Sequence, residues 1–143
     1  MTRLGTAFLM VVLLGTTAFA QTEQKKLVPP IRGEAQIEYV GPDTRVEKGE
    51  IVTKFRIRNA STGAIALLTI SETWYDKAGN PLGGDSEKWK KLFLPGEIIE
   101  MELRTPKKPE FFSNNFQFTH ANGKVKVTKV KSFPTPTTPA PKK

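Results

Sequence analysis

The sequence predicts an all-β fold, a single antiparallel β-sandwich of about seven short strands. Three observations favour this fold. Apolar and polar residues alternate with a period of two rather than the helical period of about 3.6 residues. Turn-forming residues recur roughly every 8–14 residues, a spacing typical of small sandwiches. No segment of the 143 residues has the length and pattern of a helix, and this chain length suffices for one domain.

The first two predicted strands show the alternation most clearly. They cover residues 35–39 and 51–58. In the second strand, Phe55 and Ile57 share one face and Arg56 lies on the other. Because one face of each sheet in a sandwich is buried, Phe55 and Ile57 are expected in the core.

The remaining predicted strands are bounded by turn signals. The segment 65–75 is a long apolar and β-branched run, which suits a central strand. The Gly, Asn and Pro of residues 77–81 predict the turn that ends it. Four more strands follow, at residues 88–94, 98–104, 111–120 and 124–130. The last two strands are expected to form a closing hairpin.

The N-terminal residues 1–20 have the pattern of a signal peptide. Arg3 precedes an apolar run of eight residues, 7–14, and Ala18 and Ala20 supply the small side chains of a cleavage site before Gln21. A membrane-spanning helix needs about 20 apolar residues, so this run is too short for one, and no span is expected after processing. The protein is therefore expected to be secreted or periplasmic.

The rest of the chain divides into three parts. Residues 21–30 are predicted to be a linker, and residues 31–132 form the predicted sandwich. Residues 133–143 are rich in Pro, Thr and Lys and have few apolar side chains to bury, which predicts a disordered tail.

Four short motifs surround the third predicted strand and the turn before the fifth. They are Asn59-Ala60-Ser61-Thr62, Trp74-Tyr75-Asp76, Gly79 and Leu94-Pro95-Gly96-Glu97. Over about residues 50–105 this pattern resembles the FxLYD domain family and its relatives, with Glu72 at the position of that motif's Phe. The resemblance implies an exported immunoglobulin-like β-sandwich and no catalytic activity.

The motif residues also have structural roles that follow from their chemistry. Asp76 is expected to accept hydrogen bonds from the amides of the turn at 77–79, and Gly79 can adopt a positive φ angle there. Trp74 is expected to anchor the core. Tyr75, Pro95 and Gly96 complete this predicted structural motif.

No catalytic, metal-binding or cofactor-binding residue is predicted. The chain has no cysteine, which excludes disulfides, thiol nucleophiles and iron–sulfur sites, and His120 is its single histidine. On one strand, Glu72 and Asp76 would lie about 13 Å apart, too far for a pair of glycosidase carboxylates. The sequon at Asn59 leaves glycosylation open. We therefore expect a protein that is not an enzyme.

The excess positive charge is concentrated near the C-terminus. Residues 21–106 carry 13 basic and 13 acidic side chains, whereas residues 107–143 carry eight lysines and one acid. Six of these lysines are candidate contacts for an anionic partner: Lys124, Lys126, Lys129, Lys131, Lys142 and Lys143. Lys124 and Lys126 share one strand face, and the phase change at residues 128–129 predicts a β-bulge or a frayed edge.

Two interpretations of these lysines remain. In the favoured one, they keep an exposed edge strand from pairing with other chains. In the other, they bind an anionic lipid surface or envelope polymer. Nucleic acid is not an expected partner, because no motif interleaves basic and aromatic residues in the manner of RNA-binding sheets.

These observations predict an exported, non-enzymatic binding or structural module. Its ligand is a protein or an envelope polymer that the sequence does not identify. The alternative is a cationic adaptor that tethers to anionic envelope polymer or lipid through its lysine-rich C-terminal strand and tail.

Overall fold

A computed structural model describes residues 27–134, and these residues contain seven β-strands and no helix. The strands are β1 (Ala35–Glu47), β2 (Glu50–Asn59), β3 (Thr69–Tyr75), β4 (Pro81–Lys88), β5 (Ile98–Pro106), β6 (Ser113–His120) and β7 (Gly123–Lys129). The predicted all-β class and the number of strands are confirmed. The predicted signal peptide, linker residues 21–26 and tail residues 135–143 lie outside the described residues.

The seven strands form one mixed sheet in the order β4-β3-β6-β7-β1-β2-β5. All neighbours are antiparallel except β1 and β7, which are parallel. Ile37 and Tyr39 of β1 pair with β2 on one side and β7 on the other, so the sheet is continuous. It curls until β4 and β5 approach each other, where the Arg104 amide donates to Asp85 Oδ2 at 2.8 Å. A sandwich of two separate antiparallel sheets is therefore not confirmed.

The predicted fourth strand is misplaced. Residues 89–94 form a connection, in which Phe93 bridges to Ile65 through two 2.9 Å backbone hydrogen bonds. The strand that pairs with β3 is β4, whose side chains are mostly exposed and therefore give no apolar alternation. Its pairing depends on Gly84, because a Cβ there would lie 1.9 Å from the carbonyl oxygen of Glu72.

The core is centred on the inward face of β2. Phe55 and Ile57 are buried there and Arg56 is exposed, as the alternation predicts. The Phe55 ring contacts three other rings edge-on, at centroid distances between 4.9 and 5.7 Å. These belong to Tyr39, Phe116 and Phe118. The core therefore joins β1, β2 and β6 through aromatic contacts.

Trp74 lies outside this core, which corrects the prediction of a core anchor. It is half-buried and stacks on Phe111, with ring centroids 5.0 Å apart and planes at 11°. The buried positions of the same strand are Ile70 and Glu72, and Glu72 is only 3% exposed. Trp74 therefore covers one end of the fold rather than filling its centre.

Asn59 is also part of the interior, at the end of β2. Its Nδ2 donates to the carbonyl oxygens of Gly63 and Phe93 at 2.9 and 2.8 Å, and its Oδ1 accepts from the Ser61 amide at 2.8 Å. The side chain is 1% exposed. Both amide hydrogens are used inside the fold, so a glycan on Nδ2 is incompatible with this structure.

Candidate functional site

The predicted closing hairpin is open over most of its length. Only two residue pairs join β6 to β7, Thr119 with Lys124 and His120 with Gly123. Beyond them, the residues of β6 pair only with β3, and Val125–Lys129 of β7 pair only with β1. We call the resulting opening the β6–β7 seam; its cavity volume is about 580 Å³. It is lined by Tyr39, Asn114, Asn115, Phe116, Gln117, Phe118, Val125, Val127 and Lys129.

The two strands separate because each follows a different neighbour. β7 keeps an unbroken parallel register with β1, and β6 keeps an unbroken antiparallel register with β3. At the base of the opening, the rings of Tyr39 and Phe118 stack at 5.7 Å with an angle of 26° between their planes. Aromatic side chains therefore hold the floor of the seam where backbone pairing is absent.

At the closed end of the seam, His120 forms hydrogen bonds to Gly33 and Asn122. Its Nε2 donates to the carbonyl oxygen of Gly33 at 2.7 Å, which leaves Nδ1 to accept from the Asn122 amide at 3.4 Å. The Gly33 amide in turn donates to the Asn122 carbonyl oxygen at 2.9 Å. A Cβ at Gly123 would lie 2.3 Å from the Gly33 oxygen, so this close approach requires glycine. His120 has a structural role in this arrangement.

The candidate lysines lie on both faces of β7 and beyond it. Lys126 pairs with Gln36 on the outward face, whereas Lys129 pairs with Tyr39 and lines the seam. Lys124 and Lys131 are exposed, and Lys142 and Lys143 lie outside the described residues. The predicted β-bulge at 128–129 is wrong, since the register with β1 continues without a shift to Lys129. β7 was predicted to be an edge strand. It is paired with β1 on one side, and only the side that faces the seam is unpaired over most of its length.

On the outer face formed by β1, β2 and β5, basic side chains are paired with acidic ones, unlike the lysines of β7. Lys54 lies 3.6 Å from Glu102 across the strands, Arg56 lies 4.0 Å from Glu100, and Arg58 pairs with Glu38. Within residues 27–134, none of the four β7-region lysines forms an ion pair. The positive charge beside the seam is therefore not neutralised by the described residues.

The chain end after β7 returns to the same outer face. Phe133, predicted as the first tail residue, lies with its ring centroid 5.7 Å from the guanidinium carbons of Arg56 and Arg58. A cation near an aromatic face is attracted by the ring quadrupole. This contact directs the end of the described chain towards β2 and away from the seam.

Asp76 caps the turn between β3 and β4. Its Oδ1 accepts from the amides of Ala78 and Asn80 at 2.9 and 2.8 Å, and its Oδ2 accepts from Asn80 Nδ2 at 3.1 Å. Gly79 has a φ of +84° within this turn. The backbone and side-chain hydrogen bonds from Asn80, with those from Ala78 and Gly79, lower the pKa of Asp76 below its ordinary value.

This lowered pKa predicts a pH-dependent effect of the Asp76→Ala substitution. The stabilisation by Asp76 is complete above the ordinary carboxyl pKa and is lost as the pH falls through the lower folded-state pKa. The variant should therefore be less stable than wild type at neutral pH, and the difference should narrow in acid. Denaturant unfolding at several pH values measures this. Glu87→Ala, at an exposed position of β4, is the control, and an equal narrowing in the control would contradict the assignment.

The turn before β5 positions the Pro95-Gly96 motif. The Gly96 amide donates to the Asn59 carbonyl oxygen at 2.8 Å, and Gly96 has a φ of +75°. Glu97 Oε2 accepts from the Leu94 amide at 2.8 Å. With Asn59 buried beside this turn, the Asn59 and Pro95-Gly96 motifs belong to one structural unit.

Sequence reasoning missed that Glu72 is buried in the interior. Its Oε1 accepts from Asn114 Nδ2 at 2.9 Å, and its Oε2 lies 3.3 Å from Thr105 Oγ1, which donates to it. Asn114 also lines the seam, so Glu72 links the interior to one wall of the opening. The sequence does hold a signal for this burial, because Glu72 lies between Ile70 and Trp74 at alternate positions that share the inward face of β3.

Two kinds of feature are absent from the described residues. Within residues 27–134, no group of three or more histidine, cysteine, aspartate or glutamate side chains is arranged to hold a metal ion. No helix long and apolar enough to cross a membrane occurs in this part of the chain.

Comparison with known proteins gives little further information. No protein-family model matches the chain, and no curated protein matches it. One solved structure, from a structural characterization of IrmA from Escherichia coli, aligns with 16% sequence identity and a TM-score of 0.46. The alignment covers 73% of this chain and 98% of that chain. Membership of the FxLYD or another immunoglobulin-like family is not confirmed.

Proposed function

We propose that this chain is an exported, non-enzymatic binding module and that the β6–β7 seam is its binding surface. The observation that carries the proposal is the opening itself. It combines apolar side chains, side-chain amides and Lys129 in one concave surface between two strands. Binding sites are usually concave and combine apolar side chains with polar groups that orient the ligand. Export is supported by the signal-peptide pattern of residues 1–20.

An immunoglobulin-like architecture is part of this proposal. In that fold the first, second and fifth strands are neighbours, and so are the third, sixth and seventh. The strand order of this sheet contains both groups, β1-β2-β5 and β3-β6-β7. β4 pairs with β3. It therefore extends the group β3-β6-β7, and variable-type domains add their extra strands to the corresponding sheet. The strand connections therefore support the resemblance, although the two groups are joined through β1 and β7.

Site-specific photo-crosslinking in the native host tests the binding surface. A photoreactive phenylalanine analogue at Gln117 places the probe in the seam, and the same analogue at Thr62 places it on an exposed loop. We expect one discrete adduct from position 117 and none from position 62. Equal labelling at both positions, or no adduct at position 117, would contradict the proposal.

The second candidate function is that of a cationic adaptor for anionic envelope polymer or lipid. The four exposed lysines without ion pairs among the described residues favour it. The competing interpretation, protection of an exposed edge, is favoured by the unpaired side of β7. The two interpretations predict different behaviour when the lysines are neutralised.

The change of Lys124, Lys126, Lys129 and Lys131 to glutamine separates these interpretations. If the lysines keep the edge from pairing with other copies of the chain and do not bind polyanionic polymer or lipid, wild type should bind heparin and anionic liposomes weakly, and the variant should aggregate more readily. If they bind polyanions, wild-type retention should be strong, should fall steeply with salt and should be lost in the variant. Retention at two salt concentrations, with light scattering, measures both. We expect the first result, and strong salt-sensitive retention would contradict it.

A further inference from the structure

The backbone edges of the β6–β7 seam lack a strand between them. The residues of β6 before Thr119 pair with β3 alone, and Val125–Lys129 pair with β1 alone. Each strand therefore presents one unpaired edge towards the opening. Unpaired edges are templates for the addition of another strand, and proteins use them to bind extended peptides.

The floor of the seam offers apolar contacts at alternate positions. Phe116 and Phe118 lie two residues apart on β6, and Val125 and Val127 lie two residues apart on β7. Val127 is 36% exposed, although it pairs with the fully buried position Ile37. In an added strand, every second side chain points to the same face. Apolar side chains at alternate positions would therefore meet these four residues.

The positive charge around the seam favours an acidic partner. Lys129 lines the opening, and Lys124 and Lys126 extend along the same strand. The β6 wall contributes the uncharged amides of Asn115 and Gln117, and no carboxylate is among the lining residues. Acidic side chains at the intervening positions of an added strand would be attracted to this surface.

We propose that the β6–β7 seam binds an extended, acidic peptide segment of a partner protein as an added β-strand. This inference rests on the proposed function, because it names the partner of the same surface. Between two antiparallel strands, the added strand runs antiparallel to one and parallel to the other. Its apolar side chains face Phe116 and Val127, and its acidic side chains lie on the outward face beside Lys124 and Lys126.

Two other occupants fit the surface less well. In a second copy of the protein beginning at Gln21, 21 basic and 14 acidic side chains give a formal net charge of +7, which opposes its approach to the lysines of β7. The chain's own residues 135–143 contain three prolines and two lysines. Proline lacks the amide hydrogen that a strand ladder requires, and Phe133 directs the preceding residues towards β2. Charge and hydrogen-bonding capacity both favour the acidic peptide.

Synthetic peptides test the proposal with the protein beginning at Gln21. The probe is a peptide of about eight residues, the length of an ordinary strand, that alternates glutamate with valine. One comparison peptide has the same composition with the two residue types in separate blocks, and another alternates lysine with valine. Affinity is measured by isothermal titration calorimetry, and bound backbone is located by amide hydrogen exchange. We expect the alternating acidic peptide to bind at least about tenfold more tightly than either comparison peptide.

Hydrogen exchange should locate the bound peptide in the seam. Within residues 113–118 and 125–129, the amides that point into the seam should be protected by the alternating acidic peptide, with no comparable protection on β4 or β5. Equal binding by the block peptide would show charge attraction without strand addition and would overturn the proposal. Protection elsewhere, or no binding by the alternating acidic peptide, would also overturn it.

Two exposed valines provide a matched pair of variants. Val127→Glu places a carboxylate in the seam, whereas Val46→Glu places one at the far end of β1, where Val46 is 56% exposed. We expect Val127→Glu to weaken peptide binding about tenfold or more and Val46→Glu to leave it unchanged. If Val127→Glu does not fold, the change of Lys124, Lys126 and Lys129 to glutamine replaces it. That variant should lower both the affinity and its salt dependence.

Sedimentation and the cross-link from position 117 show whether the acidic-peptide assignment fails alone or together with the proposed binding surface. Dimers detected by sedimentation of wild type and absent from Val127→Glu would make a second copy the occupant and overturn the acidic-peptide assignment. If the cross-link from position 117 is present but the acidic peptide does not bind, this inference fails and the proposed binding surface stands. If the cross-link is absent as well, the proposed function fails with it.

Discussion

The Phe55→Ala variant is expected to lose about 3–5 kcal/mol of unfolding free energy, the usual cost of truncating a buried large aromatic side chain. Phe55 is 1% exposed, and its ring contacts Tyr39, Phe116 and Phe118. Alanine would leave a cavity where these rings meet, and it would remove three edge-on aromatic contacts. Because small domains have total stabilities of about 5–15 kcal/mol, the variant should be close to unfolded.

The matched control for this variant is Phe112→Ala. Phe112 is 64% exposed and lies outside the aromatic cluster, so its truncation should change the unfolding free energy by less than about 1 kcal/mol. Denaturant unfolding of both variants, followed by circular dichroism, measures the difference. Similar losses in the two variants would mean that the core is not centred on Phe55.

The loss of Phe55 should also affect the β6–β7 seam. Its ring lies beneath Phe116 and Phe118, which form part of the floor of the opening. Side chains that lose a packing partner gain rotational freedom and no longer hold a fixed surface. Stability of the core and the shape of the candidate binding site therefore depend on the same aromatic group.

The second large effect is expected for Asn59→Ala, at about 3 kcal/mol or more. The substitution leaves the carbonyl oxygens of Gly63 and Phe93 and the amide of Ser61 without their side-chain partner. The three lost hydrogen bonds, at about 1 kcal/mol each, account for this figure, and the Phe93 oxygen keeps the hydrogen bond from the Ile65 amide. Because Phe93 is fully buried and bridges to Ile65, the loss should extend to the connection before β5.

Asn59→Asp and Asn115→Ala test the cause of this effect. Aspartate keeps the size of the side chain but turns an acceptor oxygen towards two carbonyl oxygens, so it should destabilise the fold about as much as alanine does. Asn115 is exposed on β6, and its truncation should cost less than about 0.5 kcal/mol. An Asn59→Asp variant as stable as wild type would show that the two Nδ2 hydrogen bonds are not what stabilises this region.

The buried face of β2 follows from local pattern alone. In β2, the alternation of Phe55, Arg56 and Ile57 predicts the faces that the structure shows, because successive side chains of a strand point to opposite sides. The turn at Asp76 was also predictable, since its carboxylate contacts amides only two and four residues away. Such features depend on neighbours in sequence, and these are visible without the fold.

The distant hydrogen-bond partners that stabilise buried Asn59 and Glu72 could not be predicted in this way. Asn59 contacts Phe93, 34 residues away, and Glu72 contacts Asn114, 42 residues away. A buried polar side chain is stable only where such partners meet it, and single-sequence patterns do not show which distant segments meet. The same limit applies to Trp74. Its size predicts burial, but the sequence does not show which neighbours surround it, and the structure places it half-buried against Phe111.

The all-β class, the two faces of β2 and the Asp76 turn are determined by the sequence itself, through the side-chain alternation and turn chemistry of adjacent residues. Tertiary structure alone decided the parallel pairing of β1 with β7, the pairing of β4 with β3 at Gly84, and the β6–β7 seam. The seam exists because β7 follows β1 and β6 follows β3, so the hairpin separates after two residue pairs. Which edge a strand leaves unpaired depends on competition between distant partners, and that competition is resolved only when all seven strands are packed.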